Sequence, residues 1–268
     1  MSALLEAQAL SVRINGKALL DSVSLAVEAG ESVALVGPNG AGKATLLRAL
    51  SGEIAASGGA IRLKGRALHT YRPRALALHR AMLSQSVSVS FPFTVAEVVR
   101  MGAADMRSTA VDAQVDAALS EVDLSGFQNR IINTLSGGEQ LRAHFARVLV
   151  QLACGEVLHG PGLLLLDEPT ASLDLRHQLD LLAAIRRRAE QGSTIVTVVH
   201  DLNLAVLLAR RVIVLGRGRI EADGPPQHSI TDDVLERVFG VARAVDRFPQ
   251  PGLPFVLPHG ARRTAQAG

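Results

Sequence analysis

The sequence predicts an α/β fold in which helices cover both faces of a mixed sheet. Three observations support this prediction. Short apolar runs at 32–37 and 163–167 indicate buried parallel strands, because a helical pattern follows each of them. Alternating segments near the N-terminus indicate exposed antiparallel strands. A block of helical spacing at 86–155 interrupts the strand–helix alternation. We therefore expect a three-layer core with an antiparallel β subdomain and an inserted helical subdomain.

The remaining elements follow the same alternation. The first helix is predicted over 43–52, where Gly52 closes it, and a long helix is predicted over 175–192, where Gly192 closes it. The predicted strands, in chain order, are 10–14, 23–27, 32–37, 60–65, 80–85, 163–167, 194–200, 211–216 and 219–224.

These elements suggest one domain with three parts. The α/β core and its β subdomain take up 1–85 and 156–240, and the helical subdomain takes up 86–155. The tail at 241–268 is rich in proline, and we expect its last residues to be disordered.

The composition limits the classes of protein that fit. With 48% hydrophobic and 20% charged residues among 268, the chain can bury a substantial core. The net charge is only +3 and the basic residues are scattered, so nucleic acid is not an expected partner. The single cysteine, Cys154, excludes a disulfide framework. Neither a signal peptide nor a membrane span is indicated, so we expect a soluble cytoplasmic protein, for which any membrane role must come through a partner.

A glycine-rich loop follows the first buried strand and matches the phosphate-binding pattern of Gly, any four residues, Gly, Lys and then Ser or Thr. Gly37, Gly42 and Lys43 are in register with this pattern. Glycines let backbone N–H groups approach phosphates, and the helix N-terminus favours an anion. Lys43 would reach the β- and γ-phosphates. The other loop candidates for nucleotide contact are Pro38, Asn39, Gly40, Ala41, Ala44 and Thr45.

Ala44 stands where the pattern requires a hydroxyl, so the side chain expected to bind Mg²⁺ is missing. A Gly-x₄-Gly-Lys match arises by chance in a chain of this length with a probability of roughly 8% at average residue frequencies. The loop motif alone is therefore suggestive, and the other motifs of the chain are needed to distinguish a phosphate-binding loop from a chance match.

An acid pair ends the apolar strand at 163–167. Asp167 is placed to orient the Mg²⁺ shell, directly or through water, and Glu168 is placed to act as the general base on an attacking water. Two acids that end a strand and cap the next turn are common by themselves. Beside a phosphate loop, a purely structural role for the two acids is much less favoured.

With these residues in place, the sequence resembles the ATP-binding subunits of ABC transporters over essentially its full length. The segment LSGGE at 135–139 is close to the family signature Leu-Ser-Gly-Gly-Gln. The resemblance implies a P-loop NTPase core that binds ATP and Mg²⁺. It also implies that Ser136, Gly137 and Gly138 reach across a head-to-tail homodimer to the γ-phosphate held by the other subunit. By itself, Ser136 would also fit a simple helix N-cap.

Three more positions match the family in the expected order. By resemblance, Gln85 is the Q-loop glutamine that senses Mg²⁺ and the attacking water. Asp174 matches the D-loop at the dimer seam, and His200 matches the switch histidine near the γ-phosphate.

Two positions depart from the family. The aromatic residue that stacks on adenine is missing, and the matching place near Ile14 and Val12 offers only weaker, less selective packing. Ala44 is the second departure. We expect ATP to bind through the loop amides and Lys43, while weaker positioning of Mg²⁺ slows hydrolysis roughly 10- to 1,000-fold. Thr45 does not simply replace the hydroxyl, because adjacent helix residues point about 100° apart.

The cargo is indicated only indirectly. The segment 84–102 and the pattern GPPQHSITDDVLERVFGV resemble importers of iron-siderophore, vitamin B12 and haem, and a long segment around LACGEVLHG resembles haem-import ATPases. The resemblance implies a peripheral subunit on the cytoplasmic face of the bacterial inner membrane. Its implied partners are two copies of a polytopic permease and, indirectly, a periplasmic substrate-binding protein.

Three alternatives remain open. The cargo could instead be an iron-siderophore or cobalamin. A soluble ABC-type ATPase of DNA repair or translation usually has two cassettes or a long coiled coil, and this chain has neither. A non-hydrolysing regulatory subunit would have no need of Glu168 and His200.

Overall fold

The computed structural model describes residues 3–85, 91–103, 109–171 and 173–246. Ten strands and nine α-helices occur within these ranges. The strands are β1 (Leu5–Ile14), β2 (Lys17–Val27), β3 (Ser32–Val36), β4 (Gly58–Leu63), β5 (Arg66–Ala67), β6 (Arg80–Leu83), β7 (Leu163–Asp167), β8 (Thr194–Val198), β9 (Arg211–Gly216) and β10 (Arg219–Gly224). The helices are α1 (Lys43–Ser51), α2 (Pro73–Ala77), α3 (Val95–Arg100), α4 (Thr109–Glu121), α5 (Gly137–His159), α6 (Leu175–Glu190), α7 (Leu202–Leu208), α8 (Pro226–Ser229) and α9 (Asp232–Phe239).

An antiparallel sheet of order β2-β1-β4-β5 forms the N-terminal part. Asn15 and Gly16 connect β1 to β2 with φ of 51° and 79°, the left-handed conformation that two-residue hairpin turns favour. The strands predicted at 10–14 and 23–27 are therefore the ends of two much longer strands, because the hairpin pairs them along most of their length.

The second sheet is mixed and has the order β10-β9-β3-β8-β7-β6. Its central strands are parallel, as the apolar runs predict, and only β10 pairs antiparallel, with β9. The carboxyl ends of parallel strands meet at one edge of a sheet. The segments that follow β3, β6, β7 and β8 therefore emerge together, and they contain most of the predicted site residues.

Helices cover both faces of this sheet. On one face α1 packs with the antiparallel sheet in an apolar cluster that includes Leu46, Leu47 and Leu50. On the other face α5, α6 and α7 share a second cluster with the helical block. The mixed sheet between two helical layers confirms the predicted fold class.

The ends of two helices test the predicted glycine stops. Gly52 adopts a left-handed conformation directly after α1 and closes it as expected. The last helical residue of the long helix α6 is Glu190, and its C-cap is Gln191. Gly192 follows with a φ of 91°, and the N–H groups of Gly192 and Ser193 donate to the carbonyl oxygens of Ala189 at 3.1 Å and Arg188 at 3.0 Å, so this glycine closes the helix as predicted. The helix α5 runs to His159 and so crosses the proposed boundary at 156; the domain division remains a prediction.

Some expectations fall outside the described residues. The tail from residue 247 onwards and the five residues after Gln85 lie there. Among the described residues, no helix is both long and apolar enough to cross a bilayer.

Candidate nucleotide-binding site

The loop between β3 and α1 can exist only with glycine at two of its positions. A Cβ atom on Gly37 would lie 2.2 Å from the carbonyl oxygen of Leu215, and Gly37 has a φ of 149°. A Cβ atom on Gly42 would lie 2.7 Å from the carbonyl oxygen of Leu19, and its φ is 102°. The neighbouring strands thus press the loop into a tight turn, and Gly42 places the N-terminus of α1 beside it.

Lys43 folds back over this loop. Its Nζ atom donates to the carbonyl oxygens of Gly37 at 2.7 Å and Pro38 at 3.1 Å, and the residue is only 6% exposed. Burial lowers the pKa of the Lys43 ammonium, while the charges of Glu168 and Asp167 oppose that shift. The cation is therefore fixed at the turn and electrostatically close to the acid pair.

The other loop residues differ in accessibility. Asn39, Gly40 and Ala44 are exposed, and Thr45 is half-buried one position along α1. Ala41 is buried, and its carbonyl oxygen accepts from the N–H of Gly218 at 2.9 Å. The position that lacks the hydroxyl thus faces outward at the first turn of the helix, on the accessible side of the loop.

The acid pair lies at the end of β7, as predicted. Asp167 is buried, and burial raises the pKa of its carboxyl, with the charge of Glu168 acting in the same direction. The next residue, Glu168, has a φ of 50°, and its N–H donates to the carbonyl oxygen of Val198 at 3.1 Å. A left-handed residue directly after the strand turns the glutamate out of the strand's alternation.

The Glu168 carboxylate brings together two residues that are distant from it in the sequence. Gln85 Nε2 donates to Glu168 Oε2 at 2.7 Å, and His200 Nε2 is hydrogen-bonded to Glu168 Oε1. Gln85 follows β6 and His200 follows β8, so the shared edge of the sheet explains their meeting. An ionised carboxylate has about four lone-pair sites, so these two contacts leave capacity to accept a proton from water.

The residues present fit a magnesium ion. Asp167 Oδ1 is buried and has no hydrogen-bond partner among the described residues, which is unusual for a carboxylate oxygen. The described chain contains no cluster of three or more His, Cys, Asp or Glu side chains able to hold a metal. Magnesium needs no such cage, because it prefers oxygen ligands and commonly keeps waters and substrate phosphates. Asp167 is therefore the available carboxylate ligand. Gln85 is the other candidate ligand, and its side chain is hydrogen-bonded to Glu168, the residue that follows Asp167.

The signature segment begins α5. Ser136 is the N-cap: the N–H of Glu139 donates to its Oγ at 3.3 Å, and its own N–H donates to Glu139 Oε2 at 2.7 Å. These hydrogen bonds lower the pKa of the Glu139 carboxyl. A Cβ atom on Gly137 would meet nothing within 4 Å, whereas one on Gly138 would lie 3.1 Å from Leu173 Cδ2. Ser136 therefore caps α5 in the structure, and the space beside Gly137 remains unfilled.

Asp174 caps the next helix, because its Oδ1 atom accepts from the N–H of His177 at 2.9 Å. Sequence reasoning did not single out Leu173, which precedes it and packs on Gly138. The only feature of the sequence that marks Leu173 is that it is an apolar residue between two polar positions of the motif.

One expectation about the base-binding surface is wrong. Val12 is 1% exposed and belongs to the core beneath the antiparallel sheet, so it is not available to pack on adenine. Ile14 is 43% exposed. The two-residue period of β1 puts Val12 on the same buried face as Leu10, a signal already present in the sequence.

Comparisons with known proteins agree with this geometry. A family model described as ABC transporter matches residues 20–171. The chain is 58% identical over 258 residues to the hemin import ATP-binding protein HmuV of Rhodopseudomonas palustris (strain BisA53), covering 96% of this chain and 95% of that protein. It is 55% identical over 267 residues to the protein of the same name in Bradyrhizobium diazoefficiens, covering 100% and 99%.

A solved structure is also similar. The structure of cbiO1 from Clostridium perfringens, part of the ABC transporter complex cbiONQ, aligns with a TM-score of 0.74 and 25% identity. The alignment covers 88% of this chain and 94% of that one.

Proposed function

The chain belongs to the ABC transporter family, and on that premise we propose that it is the ATP-binding subunit of a haem importer. The observation that carries the ATPase part is the Glu168 carboxylate, held by Gln85 and His200 at the sheet edge and electrostatically close to buried Lys43. The cargo is supported by relatives named for hemin import, which match nearly the full chain at 58% and 55% identity.

The loop holds the nucleotide. Backbone N–H groups between Gly37 and Thr45 bind the phosphates, and the positive end of α1 adds to the attraction. When nucleotide binds, Lys43 exchanges its hydrogen bonds to the carbonyl oxygens of Gly37 and Pro38 for contacts with the β- and γ-phosphates. The charged phosphates complement the ammonium group better than the neutral carbonyl oxygens do. The exposed side chain of Ile14 is the apolar surface that we expect to contact the base.

Glu168 acts as the general base. Water attacks the γ-phosphorus, the bond to ADP breaks, and the water proton passes to the Glu168 carboxylate. Gln85 and His200 hold that carboxylate in place, so its orientation is set before water arrives. Magnesium, held by Asp167 with water and phosphate oxygens, would neutralise charge on the phosphates.

The complete site needs two chains. In a head-to-tail homodimer, Ser136, Gly137 and Gly138 of each chain contact the γ-phosphate held by the other, and Asp174 lies at the seam. A Cβ atom on Gly137 would meet nothing within 4 Å, and this open space fits a role in contacting a partner-held ligand. The dimer drives two polytopic permease subunits on the cytoplasmic face of the inner membrane, which receive haem from a periplasmic substrate-binding protein.

The substitution Ala44→Ser tests how the site handles metal. We expect it to raise steady-state ATP hydrolysis roughly 10- to 1,000-fold, because a direct oxygen ligand contributes about 1.4–4 kcal/mol to the transition state. The measurement is ATP turnover across a Mg²⁺ titration. Ala44→Cys is the matched control, since sulfur has a similar size here but is a poor ligand for magnesium. Ala44 is exposed, so neither side chain disturbs the core.

Two outcomes would contradict these assignments. Equal turnover of the wild type and Ala44→Ser at all Mg²⁺ concentrations would remove the metal role of position 44. Full turnover in Glu168→Gln would remove the general base. The cargo is tested separately in proteoliposomes with the permease and binding protein, where haem, a ferric siderophore and cobalamin compete for ATP-driven uptake. Transport of either alternative cargo in place of haem would overturn that part.

A further inference from the structure

The helix α4 ends in a bend that contains a left-handed residue. Asp123 has a φ of 58°, and its N–H donates to the carbonyl oxygen of Ser120 at 3.2 Å. The N–H of Leu124 donates to the carbonyl oxygen of Leu119 at 2.9 Å, which completes a Schellman cap. Glycine is the usual residue at this position, because a Cβ atom strains the left-handed conformation. The strained bend lies within two residues of Glu121, the last helical residue of α4.

The signature helix α5 holds this bend from one side. Arg142 Nη1 donates to the carbonyl oxygens of Val122 at 3.0 Å and Asp123 at 3.1 Å, and the residue is only 4% exposed. Carbonyl groups at the end of a helix have no partner within it, so this arginine satisfies them. The hydrogen bonds from Ser136 lower the pKa of the Glu139 carboxyl, and the charge of Arg142 acts in the same direction. Arg142 thus connects the bend with the start of α5, where the signature segment lies.

The helix α6 holds the same bend from the other side. Arg188 Nε and Nη2 donate to the two carboxylate oxygens of Glu121 at 3.1 and 2.6 Å. The Arg188 and Glu121 side chains are 20% and 17% exposed, so the pair is largely shielded from solvent. Arg187 Nη2 also reaches the carbonyl oxygen of Glu121, at 3.5 Å. A two-pronged contact between arginine and carboxylate fixes a direction as well as a distance, so it sets how the end of α4 lies against α6.

The run of three arginines at 186–188 is therefore divided in its contacts. Arg186 Nη2 lies 3.9 Å from Glu190 Oε1, one turn further along the same helix, and both side chains are exposed. An exposed ion pair of this kind contributes little. Arg187 and Arg188 instead reach a different helix. A run that is typical of a solvated helix surface is thus in part an interface between α6 and α4.

We infer that Arg188 and Glu121 are positioning residues, which hold the signature segment in the direction needed to contact the γ-phosphate on a partner chain. This inference rests on the proposed function. The connection begins at α6, which shares an apolar cluster with the mixed sheet, and runs through Glu121 and the bend to Arg142 and the start of α5. Both side chains act through the bend, since neither belongs to the phosphate-binding loop or the acid pair.

The test compares Arg188→Gln with Arg186→Gln, a control that removes the same charge from the same helix. The readouts for the full chain are ATP binding by the monomer, the dimer dissociation constant with ATP and Mg²⁺, and kcat per folded chain. In Arg188→Gln we expect kcat to fall about 10-fold and the dimer dissociation constant to rise about 10-fold, because the signature segment is no longer held in place. ATP binding by the monomer should be unchanged, because the loop and Lys43 are untouched. Arg186→Gln should stay within about 2-fold of the wild type in all three.

A double-mutant cycle assigns the effect to the pair. Glu121→Gln removes the other partner, so the double variant with Arg188→Gln should lose about as much kcat as either single variant. The losses in Glu121→Gln and Arg186→Gln should multiply, because these two residues are not paired with each other.

The failures are distinguishable. A wild-type chain that neither dimerises with ATP nor hydrolyses it would overturn the proposed function and this inference with it. An active, dimerising wild type whose kcat falls equally in Arg188→Gln and Arg186→Gln would overturn the inference alone. So would a lower free energy of unfolding in Arg188→Gln with an unchanged kcat, since the pair would then be only structural. If Arg188→Gln does not fold, Arg188→Lys takes its place: it keeps the charge but loses the paired geometry, so a wild-type kcat would again overturn the inference.

Discussion

His144 should make the protein lose stability in mild acid. It lies inside α5, is 3% exposed, and its Nδ1 atom has no hydrogen-bond partner among the described residues. Burial, with the positive charge of Arg147, lowers its pKa from 6.5 to about 4. Below pH 6.5 the unfolded chain takes up a proton that the folded chain refuses, so the free energy of unfolding falls as the pH falls. The difference of about 2.5 units corresponds to about 3 kcal/mol by pH 4.

The assay is urea unfolding of the wild type and His144→Leu at pH 7.5, 6.0, 5.0 and 4.5. Leucine is apolar and similar in size, and comparing each protein with itself across pH cancels any difference in packing. The wild type should lose about 2–3 kcal/mol more than the variant between pH 7.5 and 4.5, a large part of a typical total stability. Parallel profiles for the two proteins would refute the reasoning, because they would show that His144 can be protonated in the folded state.

Two further predictions concern positions whose geometry is tight. Gly37→Ala should lower the free energy of unfolding by about 3 kcal/mol, because its Cβ would lie 2.2 Å from the Leu215 carbonyl oxygen, whereas Gly40→Ala, at φ 78°, meets no atom within 4 Å and should lower it by about 1 kcal/mol. Thermal unfolding compares the two variants, and equal losses of stability would contradict the steric explanation. Arg211→Lys should cost about 1–2 kcal/mol, because Arg211 Nε and Nη2 reach the two Asp223 oxygens at 2.6 and 2.7 Å, a paired geometry that lysine lacks. Urea unfolding measures it, and a loss no greater at low than at high salt would contradict an ionic origin.

The sequence predicts the mixed sheet and its site edge well, for a physical reason. Buried parallel strands leave continuous apolar runs, and the residues that end them must lie at one edge once the strands pair. Asp167, Glu168 and His200 end or follow two of these strands, so strand pairing alone would bring them to one edge, although in the sequence analysis His200 was identified by resemblance to the family. Strand pairing predicts which residues share the edge of the sheet. It does not predict their hydrogen bonds, since those to Glu168 depend on its left-handed backbone.

The contacts between distant segments could not be predicted in the same way. Nothing local marks Leu173 as the partner of Gly138, because the pairing depends on how α5 approaches the turn after β7. The burial of Val12 was predictable from alternation, whereas the expectation that it packs on adenine came from the matching position in the family. Local periodicity therefore decides burial more safely than a matched position does.

The backbone at Glu168 is strained, and the contacts explain why the fold tolerates it. A non-glycine residue with positive φ costs about 1–2 kcal/mol. Had Glu168 continued the strand, its side chain would point to the face opposite Asp167 and into a helical layer, because side chains alternate along a strand. The left-handed turn instead brings its carboxylate to Gln85 and His200, while the N–H is satisfied by Val198.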